Sequence, residues 1–127
     1  MTISIEFNEV KNVIIGRITG VMNKQQLRQY TLEMNQFIHQ KETRLILSDY
    51  REARFPLSMI DVFNLPDSHN LLLKTLGSNV HSYKRALVFD KKDFEMATFF
   101  ENVAVNRGHH VKVFLDETDA LAWLASN

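Results

Sequence analysis

The chain has 127 residues, 45% of them hydrophobic and 24% charged, with 15 Lys+Arg balanced by 15 Asp+Glu and no cysteine. That length suits one domain, residues 1–127, with a real core. The balanced charge gives no basic excess for nucleic acid, and the lack of cysteine excludes a disulfide framework, a thiol nucleophile and a thiolate metal site. No apolar run approaches the ~20 residues that cross a membrane. Acids stand near the N-terminus, where a signal peptide carries basic residues, so the expected setting is cytoplasmic.

Taken in order, Ile3, Ile5 and Phe7 alternate with Ser4 and Glu6, which predicts a half-buried strand. A turn at 8–12 leads to a second strand at 13–18. The short gap predicts an antiparallel hairpin at one edge of the sheet. Gly16 within that strand marks a bulge or a close neighbour. Asn23 with Gln26 reads as a capping box. Leu27, Tyr30, Met34, Phe37 and Ile38 then recur at helical spacing, so a helix should run to about His39 or Lys41. Tyr30 and Met34 read as core before they read as a ligand stripe, because any core helix shows this spacing.

Leu45, Ile46 and Leu47 predict a central strand covered on both faces, ending at Ser48 and Asp49, with a loop over 50–56. Ser58 and Asp61 form a second box-like pair opening a helix. Pro66 predicts a break in it, with a restart near Asp67 and an end at Gly77. A fourth strand follows at 85–89. Asp90 should cap the next helix, whose buried face carries Phe94, Ala97, Phe100, Val103 and Ala104 and which ends at Gly108. The last strand spans 111–115 at an edge. Asp116 caps a final helix anchored by Leu121, Trp123 and Leu124, with Asp119 in its first turn. Strands alternating with helices predict an α/β fold with a parallel sheet.

The stretch from Phe100 to Leu124, through Asn106, Arg107, Gly108, Val111, Phe114, Ala120 and Trp123, resembles the C-terminal signature of the STAS-like, SpoIIAA-like (anti-sigma-factor-antagonist-like) proteins of bacteria. The resemblance implies one STAS-like domain over 1–127. Its fold is a mixed sheet of four parallel strands in βα turns plus an antiparallel N-terminal edge strand. It also implies a non-catalytic regulatory or interaction module acting through a protein partner or self-association. Members carry a phosphorylated serine at the start of the helix after the third strand, in an AspSerSerGly context. Here residues 54–61 read ArgPheProLeuSerMetIleAsp: the motif is absent and Ser58 is the nearest position. Related Sec14-like folds bind apolar or lipid-like ligands, which gives an alternative reading.

The chemical inventory is thin. His109 and His110 are adjacent, so on a strand they point to opposite faces and cannot chelate one metal together, and His39, His69 and His81 are isolated in sequence. Asp49 and Asp90 end expected parallel strands, where functional residues can sit, but both read first as caps. Arg51 and Arg54 could hold an anion and read first as solvated. No phosphate-cradling glycine loop and no acid–base–nucleophile constellation is visible, so no catalytic residue, metal or cofactor is expected. The candidate partner or ligand surface is Phe55, Ser58, Met59, Ile60, Phe63, Leu71 and Leu72. That segment holds more apolar residues than one helix face can bury, which points to a homodimer contact or a lid over an apolar pocket.

Overall fold

The computed structural model describes residues 1–127. In chain order the elements are β1 (Thr2–Asn8), β2 (Val13–Val21), α1 (Lys24–Lys41), β3 (Leu45–Arg54), α2 (Met59–Thr75), β4 (Lys84–Val88), α3 (Phe94–Asn106), β5 (His110–Phe114) and α4 (Glu117–Ala125). Short 3-10 turns at Val80–Ser82 and Lys91–Asp93 precede β4 and α3. The strands form one sheet in the order β1-β2-β3-β4-β5. β1 is antiparallel to β2, while β2 to β5 are parallel, as the hairpin and the later strand–helix alternation predict.

This strictly sequential order fixes where the helices go. Each crossover from β2 to β5 steps one strand in the same direction, and crossovers of one hand then place α1, α2 and α3 on one face. Their core gathers Ile14 and Ile18 of β2, Ile46 of β3, Leu87 of β4 and Val111 of β5 with Met34, Leu73 and Ala97. The alternate residues Val13, Ile15, Leu47, Ala86 and Val88 point to the other face, under Ala120 and Leu124 of α4. α4 follows the last strand, so no crossover rule binds it and it can close that second face.

The caps follow the sequence. Asn23 and Gln26 form a complete capping box on α1, and Ser58 and Asp61 form one on α2. The Asp116 carboxylate accepts from Asp119 N at 2.8 Å at the start of α4. Gly16 answers to a close neighbour: a Cβ there would collide with the Tyr30 hydroxyl of α1.

Four expectations are corrected. β3 does not end at Asp49: it continues through 50–54, because β2 itself extends to Val21 and pairs Thr19, Gly20 and Val21 with Glu52, Ala53 and Arg54 past a register shift. Asp49 therefore lies inside a strand and caps no turn at its end. α2 is continuous through Pro66. The missing N–H and the ring's clash with the preceding turn cost about 3 kcal/mol. Set against that cost, Pro66 is fully buried and both flanking turns stay helical. Asp90 caps the Lys91–Asp93 turn, accepting from Lys92 N, and α3 begins only at Phe94.

Candidate functional site

α2 stands off the sheet. Its close backbone neighbours are α3 and the Val80–Ser82 turn, and it reaches the core over the sheet through side chains such as Leu73. A cavity of about 130 Å³ remains between the sheet and helices α1, α2 and α3. Seventeen of its 22 lining residues are hydrophobic, so its character is set by the five others: Thr31, Asn35, Ser48, His69 and Arg85. One wall is aromatic. Tyr50 packs edge-on against Tyr30 and Phe55, with ring centroids 6.0 and 5.5 Å away, and lies 5.3 Å from Phe89. The Tyr30 hydroxyl is 2.7 Å from Ser48 Oγ. Burial raises the Tyr30 phenol well above its ordinary value and pushes Tyr50 up to about 12, so both stay neutral.

Arg85 is the exception in this wall. It stands on β4 between Lys84 and Ala86, its side chain on the same face as Leu87 and Phe89. Its single hydrogen bond runs from Nη2 to His109 Nδ1 at 3.1 Å. That geometry requires His109 Nδ1 to accept, with the ring neutral and its proton on Nε2. No carboxylate pairs with Arg85: the ion pairs of the molecule are made by Arg17, Lys24, Arg51, Lys92 and Arg107. Burial lowers its pKa to about 10, against small opposing effects of Tyr50 and Tyr30. It is charged at neutral pH nonetheless. Burial, then the charge of Arg85, lowers His109 to about 4, and the same two causes hold His69 well below the usual histidine range.

The tertiary structure gathers histidines that are far apart in sequence. The rings of His81 and His109 are 5.7 Å apart, and His81 Nδ1 lies 3.1 Å from Gly108 O. His110 turns to the opposite face against Trp123, at 5.1 Å.

The residues singled out from the sequence divide between the two sides of α2. Met59, Ile60, Phe63 and Leu71 are exposed at 58%, 73%, 44% and 68%. Ile60, Phe63 and Leu71 share one stripe of the helix with Asp67. Asp67 accepts from Arg107 Nε at 2.9 Å, and the Arg107 guanidinium lies 4.8 Å over the Phe63 ring, so Phe63 is already engaged. Leu72 is half-buried, and Phe55 belongs to the cavity wall. Ser58 is exposed at the N-terminus of α2, its Oγ accepting from Asp61 N at 3.1 Å while Ser58 N donates to Asp61 Oδ2 at 3.0 Å. Asp49, Arg51 and Arg17 belong to a separate network on the α4 face. There Asp49 accepts from Arg51 and Arg17 at 2.8 and 3.0 Å, and Arg17 also pairs with Glu117 at 2.7 Å. Burial by itself would raise the Asp49 carboxyl, but the hydrogen bonds and charges of Arg51 and Arg17 hold it below its ordinary value.

Sequence reasoning offered an apolar pocket under this helix as one of two readings, but it missed Arg85, His69 and Tyr50 as parts of its wall. One signal was available: Arg85 is a charge within the run ArgAlaLeuValPhe, a strand whose neighbours cover both faces. Tyr30 and Met34, read as core, are buried and also line the cavity.

A mixed five-stranded sheet with an antiparallel first strand, three crossover helices on one face and a terminal helix on the other is the SpoIIAA-like fold. Among solved structures, the chain is similar to an uncharacterised protein of the DUF3478 family with a SpoIIAA-like fold from Shewanella loihica PV-4. The two share 22% identity over 97% of this chain and 92% of that one, with a TM-score of 0.60. It is also similar to the Bacillus cell fate determinant SpoIIAA in its phosphorylated form, at 13% identity over 97% of this chain and 99% of that one, with a TM-score of 0.52. No family model and no curated protein sequence matches the chain. No helix is long and apolar enough to cross a membrane.

Proposed function

We propose that this chain is a non-catalytic regulatory or interaction module, working in the cytoplasm through contact with a protein partner, in the first instance a second copy of itself. The observation that carries the reading is the outer stripe of α2, where Ile60 and Leu71 hold more than two thirds of their surface in water on a helix whose inner side is already used. Apolar residues grouped this way mark interaction surfaces more often than isolated ones do. A helix stripe can also meet its own copy about a two-fold axis. The fold supports the reading, since SpoIIAA is described as a cell fate determinant that exists in a phosphorylated form.

Ser58 is the candidate switch within this reading. Its hydroxyl is exposed one residue before the helix that carries the stripe. A phosphate there would gain from the helix N-terminus and lose from the Asp61 carboxylate, so it would reset the first turn of α2 rather than simply dock on it.

Sedimentation equilibrium tests the reading. Wild type should self-associate and Ile60→Glu should be a folded monomer with unchanged stability, since Ile60 is the most exposed of the stripe and touches no ion pair. Phe63→Glu is the less clean variant, because it also removes the surface under Arg107. Identical sedimentation of wild type and Ile60→Glu would count against self-association.

A further inference from the structure

Arg85 carries a charge that no acid of the chain meets. It is half-buried, with its guanidinium in the wall of an apolar cavity and its unbonded N–H groups still open to whatever fills that cavity. Within this cavity one N–H is used, on the neutral His109, and no carboxylate is within reach. Arginine does not escape by deprotonating at neutral pH. Its other neighbours do not supply a negative charge either: Tyr30 and Tyr50 stay neutral, and His69 and His109 can only add positive charge. The charge is thus free to meet an anion that enters the cavity. Because 17 of 22 wall residues are hydrophobic, a bare inorganic ion would leave most of the cavity unfilled by matching surface. The occupant is therefore apolar over most of its surface and anionic at one end.

Size narrows it further. The volume of about 130 Å³ is close to that of an engineered cavity of about 150 Å³ that holds benzene. We propose that the cavity binds a small amphiphile whose carboxylate pairs with Arg85 and whose apolar body, of about six or seven carbons, lies against Met34, Phe55, Leu73 and Phe100. A planar carboxylate matches the fork of the guanidinium, and the hydroxyls of Tyr50 and Tyr30 stand in the same wall as further donors. The site lies on the inner side of α2, through Val62, Leu65, His69 and Leu73, and is independent of self-association by the outer stripe.

Isothermal titration of the full chain with octanoate, 1-octanol and octyltrimethylammonium tests this. Octanoate should bind wild type at least about tenfold tighter than 1-octanol, and the cation should not bind. Arg85→Met should lose that preference, binding octanoate at least about tenfold more weakly while 1-octanol changes by less than about threefold. Its fold is checked by near-ultraviolet circular dichroism. If that variant does not fold, nuclear Overhauser contacts in wild type between octanoate methylenes and the rings of Tyr50 and Phe55 decide instead. Equal binding of octanoate and 1-octanol to wild type overturns the proposal. So does no octanoate binding below its micelle concentration, or binding that leaves the Tyr50 and Phe55 rings untouched.

Discussion

On the α4 face of the sheet a single short helix lies directly on β4 and β3, small residues Ala86 and Ala120 let it come close, Arg17, Asp49, Arg51 and Glu117 near it are paired with one another, and Lys84 donates to the carbonyls of Trp123 and Ser126 at its C-terminal end. On the opposite face three longer helices must cover the same sheet, and α2 spans its share with its backbone held away from the strands. A gap is left, and the charge in it, Arg85, has no acidic partner. The contrast shows that filling and the partnering of charged groups go together here. Where packing closes, the charges at its margin find partners within the chain. Where packing leaves room, a charge is left for something else to meet.

The largest test of this contrast is packing. Leu124→Ala on the α4 face should cost about 3 kcal/mol, measured by urea unfolding, because Leu124 is 2% exposed and packs in one cluster with Val13, Leu47, Ala86 and Val88. Leu65→Phe, which adds volume toward the cavity, should stay within about 1 kcal/mol of wild type. A similar loss at both positions would erase the distinction between the faces.

Acid should separate the faces next. His109 is neutral in the fold, with its pKa lowered from 6.5 to about 4. Between those values the unfolded chain binds more protons than the folded one, so stability falls as pH drops through that window, by roughly 2 kcal/mol for this group. His69, lowered for the same reasons, adds to the fall in the same direction. Asp49 works in a lower window. Its folded pKa is depressed below 3.8, so its contribution is fully present above that value and is lost only as pH falls further. Unfolding free energies measured from pH 7 to pH 3 should show the earlier loss shrink in His109→Gln, leaving the share of His69, and persist in full in Asp49→Asn. If His109→Gln leaves the loss above pH 4 unchanged, the cavity-side histidine is not its source.

The smallest expected effect is at the edge of the cavity. Ser58→Ala should cost about 1 kcal/mol, since it removes the oxygen that accepts from Asp61 N, and Ser58→Asp, which can still cap, should cost less. Amide exchange should then quicken in the first turns of α2 and not in α4. Equal quickening in both helices would mean that α2 is as firmly tied to the rest of the fold as α4.

Much of this architecture was legible in residue order. The capping boxes at Asn23–Gln26 and Ser58–Asp61, the left-handed Gly108 and the alternation of strand and helix are signals that act within one or two turns of the chain, and the structure places each as read. The antiparallel first strand follows from a hairpin too short for a crossover. The reach of β3 to Arg54 was not legible, because a strand is as long as its partner allows and that partner's extension to Val21 lies about thirty residues upstream. Nor was the survival of α2 through Pro66, where burial of the ring outweighs a local rule. Arg85 shows the limit most sharply. Its sequence neighbours place it on a central strand, but whether its charge is paired depends on what the other strands and the helices bring near it, and they bring tyrosines, histidines and a gap. The sequence by itself determined which segments would be strands and helices and in what order, since those choices rest on short-range contacts. Only the tertiary structure decided where the helices fail to meet the sheet and which charge is left there, since both depend on residues that meet only when the chain is folded.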